Sequence, residues 1–440
     1  MEAAGVTVVG GGLAGAEAAW WCARHGVPAT LYEMRPAVAT PAHRSELLAE
    51  LVCSNSLKSD VEGTAPALLK EEMARFGSVT LDAAARSRIP AGGALAVDRD
   101  RFARHVTAAL SAEPLLRVVR EEVTSLPPAP TVVATGPLTS AALAAELAAA
   151  IGRDNLFFFD ALAPIVAAES VDGDRAFFAS RYGKGEGGYV NCPLTAPEYA
   201  AFVAALAGAE TAPCRDFERG LLFEGCLPVE ELARRGPETV RFGPLKPVGL
   251  TDPRTGQGPY AVLQLRAEDD AADMFGLVGC QTRLTYAEQR RVFRMVPALA
   301  RAEFLRYGAV HRNTYIAAPA ALTPALELRA APGVFIAGQL SGVEGYMESA
   351  AMGILAGMNA ARRLAGREPV TPPRETAMGA LCHYLTACAP DRFAPMNVNF
   401  GLFPSGPGRN RDERRRALVA RAREAFAAWQ RTMHEAGDAA

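Results

Sequence analysis

The sequence lacks the signals that would place it in several large classes of protein. It contains no run of about 18 apolar residues, so it predicts no transmembrane helix. No basic stretch precedes an apolar one at the N-terminus, which argues against a secretory signal and makes the cytoplasm the expected location. The net charge is −2, so no overall positive field attracts a polyanion, and any RNA binding must depend on a local basic patch.

Cysteines are present, but no two of them have the CxxC spacing. The sequence therefore indicates neither a zinc site nor a thioredoxin-like motif, and we expect no bound metal. In a reducing compartment the eight cysteines are free thiols, and most of them are expected to be small buried hydrophobic residues. They are Cys22, Cys53, Cys192, Cys214, Cys226, Cys280, Cys382 and Cys388.

What is present fits a folded α/β protein of more than one domain. Half of the 440 residues are hydrophobic and 21% are charged, which is ordinary for a globular protein. From about Asn155 the sequence pattern changes and predicts short strands separated by glycine- and proline-rich turns. We therefore predict a mixed α/β insertion at residues 155–320, within a nucleotide-binding domain formed by residues 1–154 and 321–366. Residues 367–440 form an extension that ends in an amphipathic helix.

A glycine motif near the N-terminus predicts a dinucleotide site. An apolar run leads into Gly10-Gly11-Gly12, a helical segment follows, and a second strand ends at Glu33. This order opens a Rossmann-like domain with a doubly wound parallel sheet. In the pattern Gly10-x-Gly12-x-x-Gly15, the glycines allow a tight turn, close approach of a pyrophosphate and close packing of helix on strand. Glu33 is placed to bind ribose hydroxyls.

Two distant segments favour FAD over NAD as the dinucleotide. Thr135-Gly136 ends a strand, as the corresponding segment does in flavoproteins that bind two dinucleotides. Gly338-Gln339 follows another strand and resembles the second flavin segment that closes such domains, although many flavoproteins carry Asp where Gln339 stands. The sequence therefore predicts a flavin domain whose two ends lie far apart in the chain.

Two further segments are predicted to be long helices. The first, at about residues 345–364, is expected to pack on the sheet, with glycines 353 and 357 permitting a close approach. The second, at about Arg411–Glu435, is amphipathic. Its arginine-rich start either contacts RNA or is a solvated helix face, and the charge pattern alone leaves both interpretations open.

Two cysteines lie in surroundings that differ from those of the others. Cys53 lies in a polar segment close to Lys58, and Cys226 lies between a glycine and a Leu-Pro pair in a turn-like context. A reactive thiol needs access and stabilisation of its thiolate, whereas a thiol on an apolar face is inert. Each of these two cysteines is a candidate for either role.

Long stretches of the sequence match a known family in order. They are VCSNS at residues 52–56, PAGGALAVDR at 90–99, YGKG at 182–185, FEGCLP at 223–228, RFGPLKPVGL at 241–250, HRNT at 311–314, GQLSGVEGY at 338–346 and MNVNFGL at 396–402. On these stretches the chain resembles the TrmFO family of folate- and FAD-dependent tRNA (uracil-5-)-methyltransferases, which are related to the flavoproteins of the GidA (MnmG) group. The resemblance covers nearly the whole chain.

The resemblance implies an enzyme that methylates C5 of a uridine in the T-loop of tRNA. In this family methylenetetrahydrofolate gives the carbon, the N5 atom of FAD carries it, and NADPH or NADH reduces the flavin. Cys226 is the implied nucleophile toward C6 of uracil, and Cys53 is the implied proton acceptor for C5 or an alternative thiol. The target uridine would be extruded from the folded RNA into the pocket. No obligate protein partner and no membrane are implied.

We expect a set of cofactor contacts from the glycine motif, the distant strand ends and the resemblance. Within this set, Tyr346 either stacks on the flavin ring or is a core tyrosine at a helix start. The set is Gly10, Gly11, Gly12, Leu13, Ala14, Gly15, Glu33, Met34, Arg35, Thr135, Gly136, Gly338, Gln339, Gly345 and Tyr346.

Other functions remain open at this point. The same chemistry could act on ribosomal RNA, or the chain could be a GidA-like enzyme for wobble uridines. It could also be a flavin oxidoreductase that acts on a small molecule, which predicts indifference to loss of Cys226. A flavin-bound RNA chaperone or redox sensor would bind RNA without any dependence on folate.

Overall fold

The computed structural model describes most of the chain. The described residues are 4–40, 42–52, 54–152, 156–157, 160–161, 163–183, 188–212, 227–267, 272, 274–308, 310–311, 314–389, 393 and 395–435.

The strands form one parallel sheet and several antiparallel ones. They are β1 Val6–Val9, β2 Ala29–Tyr32, β3 Ser56–Ser59, β4 Arg88–Ile89, β5 Ala94–Val97, β6 Leu116–Val119, β7 Thr131–Val133, β8 Leu156–Phe157, β9 Asp160–Ala161, β10 Ile165–Ala167, β11 Phe177–Ala179, β12 Tyr189–Leu194, β13 Ala261–Ala267, β14 Met274–Leu277, β15 Phe304–Arg306, β16 Val310–His311, β17 Tyr315–Ile316 and β18 Val334–Ile336.

The helices range from one turn to seven. They are α1 Leu13–Arg24, α2 Ala65–Ala74, α3 Val79–Arg86, α4 Arg99–Ala112, α5 Ala141–Ile151, α6 Ala196–Gly208, α7 Val229–Arg235, α8 Pro237–Phe242, α9 Tyr286–Phe293, α10 Ala318–Ala321, α11 Tyr346–Leu364, α12 Ala377–Ala387 and α13 Arg411–Glu435.

The parallel sheet has the strand order β6-β2-β1-β7-β18. Counted along the chain, these strands are the third, second, first, fourth and fifth of the sheet, which is the doubly wound order. Register pairs such as Val8 with Leu31 and Val8 with Val132 place β1 at the centre. The predicted Rossmann-like domain is confirmed. Because the order reverses between β1 and β7, a crevice opens beyond the carboxyl ends of those two strands.

Helices α1 and α11 pack against each other more closely than ordinary side chains allow. A Cβ atom at Gly353 would overlap the carbonyl oxygen of Ala14, and one at Gly357 would lie 2.6 Å from the carbonyl oxygen of Ala18. The two glycines therefore face helix α1, whereas the sequence predicted that they face the sheet. The thiol of Cys22 contacts the carbonyl oxygen of Gly357 at 3.4 Å in the same interface.

A second sheet is antiparallel, with the order β11-β12-β13-β14-β10-β15. One of its faces packs against helices α6, α7 and α9 in a hydrophobic core that lies between Val166 and Ala302 in the sequence. The first core, around the parallel sheet, is built from residues before Ile151 and after Ile316. The insertion expected in the flavin-type domain is therefore present as a separate core.

The C-terminal helix α13 packs on the first core. Leu418, Ala422, Phe426 and Met433 are buried there, which confirms the predicted apolar face. At the start of α13, Oδ1 of Asn410 accepts a hydrogen bond from the backbone amide of Glu413 at 2.9 Å. Within the described residues, no helix combines the length and apolar character needed to cross a bilayer.

Candidate active site

The turn after β1 requires glycine at two positions for steric reasons. Gly10 has φ +105°, and a Cβ atom there would lie 2.6 Å from the carbonyl oxygen of Ala134, which directly follows β7. A Cβ atom at Gly15 would overlap the carbonyl oxygen of Gly10, so this glycine lets α1 approach β1. Neither position has room for any other residue.

Gly12 has a different environment from these two glycines. It is the N-cap of α1, it makes no side-chain cap, and a Cβ atom built on it would meet nothing within 4 Å. The first turn of α1 therefore presents backbone N–H groups to open space without a capping side chain. These N–H groups and the positive end of the helix dipole suit a phosphate group.

The open space is a cleft at the carboxyl ends of β1 and β7. It lies where the strand order of the parallel sheet reverses, which is where ligands bind in sheets of this type. Residues that are widely separated in the sequence line it. Among them are Gly10, Gly11, Gly12, Leu13, Ala14, Glu33, Met34, His43, Val52, Thr135, Gly136, Gly338, Gln339, Tyr346 and Ser349.

Glu33 follows β2 and is nearly buried beside the cleft. Its carboxylate accepts hydrogen bonds from the backbone amide of Gly11 at 2.9 Å and from Nε of Arg35 at 2.9 Å. Burial acts to raise the pKa of Glu33, but the hydrogen bonds and positive charge of Arg35 outweigh burial and lower this pKa. An ionised acceptor therefore lies at the end of β2, where a ribose hydroxyl would be held.

The strand β18 brings the segment after residue 337 to the same cleft. The backbone amide of Ala337 donates to the carbonyl oxygen of Val133 at 3.0 Å, so Gly338 follows β18 beside the end of β7. Gly338 has φ +71°, and a Cβ atom there would lie 2.9 Å from the Cβ of Ala14 on α1. Segments that are about 200 residues apart in the sequence thus meet as the sequence predicted.

Tyr346 begins α11 and reaches across the cleft. Its hydroxyl oxygen accepts a hydrogen bond from the backbone amide of Ser54 at 3.2 Å. Ser54 and Asn55 are in turn held by Arg266 of β13, whose guanidinium donates to Oγ of Ser54 at 2.9 Å and to Oδ1 of Asn55 at 2.7 Å. The segment after residue 53 is therefore fixed to both cores.

A partly buried charge pair lies at the start of α11. Nζ of Lys58 is 2.7 Å from Oε1 of Glu348, whose side chain is fully buried, and it also contacts Oδ1 of Asn397. Oε1 of Glu348 additionally accepts the backbone amide of Val398 at 3.1 Å. The pair thus joins three distant segments beside Tyr346.

Three of the expected cofactor contacts support the cleft without lining it. Gly15 packs against the turn, as described above. Arg35 is buried and bridges Glu33 and Glu50, with Nη1 3.0 Å from Oε2 of Glu50. Gly345 precedes α11 with φ +115° and lies against the carboxylate of Glu348.

The sequence did not predict several residues that shape this site. Three of them were missed because each forms a hydrogen bond with a residue more than 200 positions away. They are Arg266, Lys58 and Glu348. His43 was also missed, and it lines the cleft. Burial, together with the charge of Arg35, lowers the pKa of His43 to about 4, so the imidazole is neutral at neutral pH.

Comparison with known proteins gives the family. A profile of the family described as "Glucose inhibited division protein A" matches residues 5–368. A protein of Desulforudis audaxviator named methylenetetrahydrofolate–tRNA-(uracil-5-)-methyltransferase TrmFO is 58% identical over 429 residues, which are 97% of this chain and 98% of that protein. The chain belongs to the TrmFO family. A protein of the same name from Geobacter sulfurreducens is 56% identical over 94% of this chain and 96% of its own length.

The fold of this TrmFO-family chain is similar to the fold of GidA in solved structures. The Aquifex aeolicus GidA structure in crystal form I has a TM-score of 0.70 with 19% identity, and it covers 96% of this chain and 76% of the GidA chain. The form II structure has a TM-score of 0.67 with 18% identity and covers 96% and 73%. At this level of identity the likeness shows a shared fold.

Four cysteines of this TrmFO-family chain are buried free thiols, and a fifth, Cys388, is partly exposed. Burial raises the pKa of four thiols to about 12, which makes them unreactive at neutral pH. They are Cys22, Cys192, Cys280 and Cys382. The two candidates for chemistry, Cys53 and Cys226, lie outside the described residues. The residues on either side of position 53 are described, and both Val52, which lines the cleft, and Ser54, which contacts Tyr346, lie at the site.

Proposed function

We propose that this chain methylates C5 of a uridine in the T-loop of tRNA, with methylenetetrahydrofolate as the carbon source, FAD as bound cofactor and NADPH or NADH as reductant. The observation that carries the proposal is the 58% identity over 97% of the chain to a protein named for folate-dependent methylation of uracil in tRNA. The expected cytoplasmic location agrees with a tRNA substrate.

The residues of the cleft fit FAD. Gly12 leaves room for a pyrophosphate over the bare start of α1, and the ionised carboxylate of Glu33 accepts ribose hydroxyls. Tyr346 lines the same cleft, and its aromatic ring would contact the flavin ring of a bound FAD. Seven further residues of the expected set line the cleft. They are Leu13, Ala14, Met34, Thr135, Gly136, Gly338 and Gln339. Bound FAD supplies redox chemistry, which is needed because a methylene group becomes a methyl group only by gaining a hydride.

Cys53 and Cys226, the two candidate cysteines, carry the covalent chemistry. C5 of uracil is a weak nucleophile until a thiolate adds to C6 and converts the ring to an enolate. In the proposal, Cys226 forms this S–C6 bond, C5 then attacks the folate-derived carbon, and Cys53 removes the C5 proton. As that proton leaves, the bond between the methylene carbon and its nitrogen carrier would break, which leaves an exocyclic methylene on C5. A hydride, which bound reduced FAD would supply, then adds to this carbon while the S–C6 bond breaks, so that the 5-methyl base and the Cys226 thiolate are released.

The proposal includes a division of the chain. Residues 1–154 and 321–366 form the flavin domain, residues 155–320 form the insertion, and residues 367–440 form an extension. Support comes from the two separate hydrophobic cores and from the packing of α13 on the first of them. The cleft then lies in the flavin domain, and Arg266 of the insertion reaches it through Ser54.

The decisive experiment uses purified protein, unmodified tRNA, NADPH and methylenetetrahydrofolate with a labelled methylene carbon. We expect the label in the C5 methyl group of uracil in tRNA, and none in ribosomal RNA in a parallel assay. Absence of label from tRNA, while NADPH still reduces the bound flavin, would refute the proposal.

Cysteine variants test the covalent step. Cys226→Ala abolishes labelling and leaves FAD bound, whereas Cys388→Ser, at a partly exposed cysteine near the end of α12, is the matched control and retains activity. Full activity of Cys226→Ala would contradict the assigned nucleophile.

A further inference from the structure

Tyr182 holds an aromatic ring at the protein surface in a backbone conformation that bulky residues rarely adopt. Its φ is +59° and its ψ is 21°, in the left-handed region. The residue is nevertheless 66% exposed, so the ring fills no hydrophobic core. Strained residues of this kind persist where the surrounding structure holds them, and they cluster at functional sites.

The surrounding structure holds Tyr182 through one neighbouring loop. The backbone amide of Tyr182 donates to the carbonyl oxygen of Gly249 at 2.8 Å, and Nη1 of Arg181 donates to the carbonyl oxygen of Val248 at 2.7 Å. A Cβ atom at Gly249, which has φ +78°, would lie 2.9 Å from the tyrosine ring. The ring therefore rests on the backbone at Gly249 and leaves the rest of its surface to solvent.

Two described residues beside this ring, Arg181 and Lys246, carry positive charge. Within the part of the chain that the structure describes, Arg181 donates side-chain hydrogen bonds to the neutral oxygens of Val248 and Gln264, and none of these acceptors is a carboxylate. Lys246 is exposed in the adjoining loop, where Val248 is 55% exposed. Neither residues 180–183 nor residues 244–250 include an acidic residue.

This surface lies on the same face of the second sheet as the residues that reach the cleft. Gln264 and Arg266 are two positions apart on β13, so their side chains leave the sheet on the same face, about 7 Å apart. Gln264 accepts two hydrogen bonds from Arg181, and Arg266 holds Ser54 beside Tyr346. The exposed ring and the cleft are thus connected by side chains on one face of one strand.

We propose that Arg181, Tyr182, Lys246 and Val248 form a docking platform for the RNA substrate, on which an unpaired base next to the target uridine stacks against Tyr182. The inference rests on the proposed function, because extrusion of a uridine leaves neighbouring bases unstacked. Every base has a flat face that an aromatic ring can cover, and cations beside the ring contact phosphates. The positive charges of Arg181 and Lys246, in two stretches (180–183 and 244–250) that contain no acidic residue, favour RNA over a protein partner.

The test compares binding of unmodified tRNA by Tyr182→Ala and Tyr182→Phe with binding by the unchanged protein. We expect the alanine variant to raise Kd and KM for tRNA about 5- to 150-fold, and the phenylalanine variant to stay close to the original, because stacking needs the ring and not the hydroxyl. Phe178→Ala is the matched control. Phe178 is 72% exposed and lies on β11 opposite Val190, which belongs to the core on the other face of the sheet. It should change neither constant.

Two further measurements separate the possible failures. Reduction of the bound flavin by NADPH needs no RNA, so it should be unchanged in all variants. Tyr182→Gly tolerates φ +59° without strain, so it keeps the fold even where alanine does not, and it should show the same loss of tRNA affinity. Unchanged tRNA affinity in the alanine and glycine variants, while the unchanged protein methylates tRNA, overturns the platform. Failure of the unchanged protein to methylate tRNA overturns the proposed function instead.

Discussion

The backbone amide of Ser54 donates a hydrogen bond to the hydroxyl oxygen of Tyr346, 292 positions away, at 3.2 Å. This bond fixes residue 54, which directly follows the candidate Cys53 in the sequence, to the start of α11, through a residue that itself lines the cleft.

Tyr346→Phe removes the hydroxyl and keeps the ring. We expect FAD binding to be retained and kcat for tRNA methylation to fall about 2- to 10-fold, because one hydrogen bond of ordinary strength no longer holds Ser54. Steady-state kinetics and flavin content measure the two effects. Equal kcat values in the variant and the unchanged protein would show that the bond has no part in positioning this segment.

The glycine motif provides a matched pair of variants. Gly15→Ala forces a Cβ atom into the carbonyl oxygen of Gly10, and we expect it to lower the free energy of unfolding by about 3 kcal/mol or more. Gly12→Ala meets no neighbouring atom, so stability of the cofactor-free protein should change by less than about 0.5 kcal/mol, while retained flavin falls sharply. Thermal unfolding and flavin absorbance measure the pair. A Gly12→Ala protein that retains a full complement of bound FAD would contradict a pyrophosphate site at this position.

Glu33→Gln tests the carboxylate beside the cleft. The lowered pKa of Glu33 means that its ionised form stabilises the fold at pH above the ordinary value of 4.5. This contribution is lost as the pH falls below 4.5 through the lower native pKa. We expect the variant to lose about 2 kcal/mol at neutral pH, since Arg35 keeps Glu50 as a partner, and the difference to shrink in acid. Denaturant unfolding of the cofactor-free proteins at several pH values measures this, and a difference independent of pH would contradict it.

The pair of Lys58 and Glu348 calls for a double-mutant cycle. Lys58→Met leaves a buried carboxylate without its cation and should cost about 3 kcal/mol of unfolding free energy. In Lys58→Met with Glu348→Gln the uncompensated charge is gone, so we expect most of that stability to return. If the two single costs simply add in the double variant, the pair is not coupled.

The sequence predicted the parts of the site that are governed by local sterics. The turn at Gly10 and the packing of Gly15 follow from the room that a chain has between a strand and a helix, so their spacing alone carries the information. The apolar face of α13 was also predicted from a local pattern, the helical spacing of its apolar residues.

Other parts could not be predicted, because the sequence pattern identifies a face but not its partner. Gly353 and Gly357 were recognised as allowing close approach, but their partner is α1 and not the sheet. The contacts of Lys58 with Glu348 and of Arg266 with Ser54 join residues more than 200 positions apart, and no local pattern records such a pairing.

The position of β18 also has a consequence for synthesis of the protein on the ribosome. β7 pairs with β1 on one edge and with β18 on the other, and the chain between β7 and β18 contains the entire second core. At about 5–20 residues per second, roughly 10 to 40 seconds pass between completion of β7 and completion of β18. During that time one edge of β7 is unpaired, and Gly338, Gln339, Tyr346 and Ser349 of the cleft wall do not yet exist. The cleft is therefore completed only late in synthesis, so a shortage of cofactor acts on chains that already contain the second core.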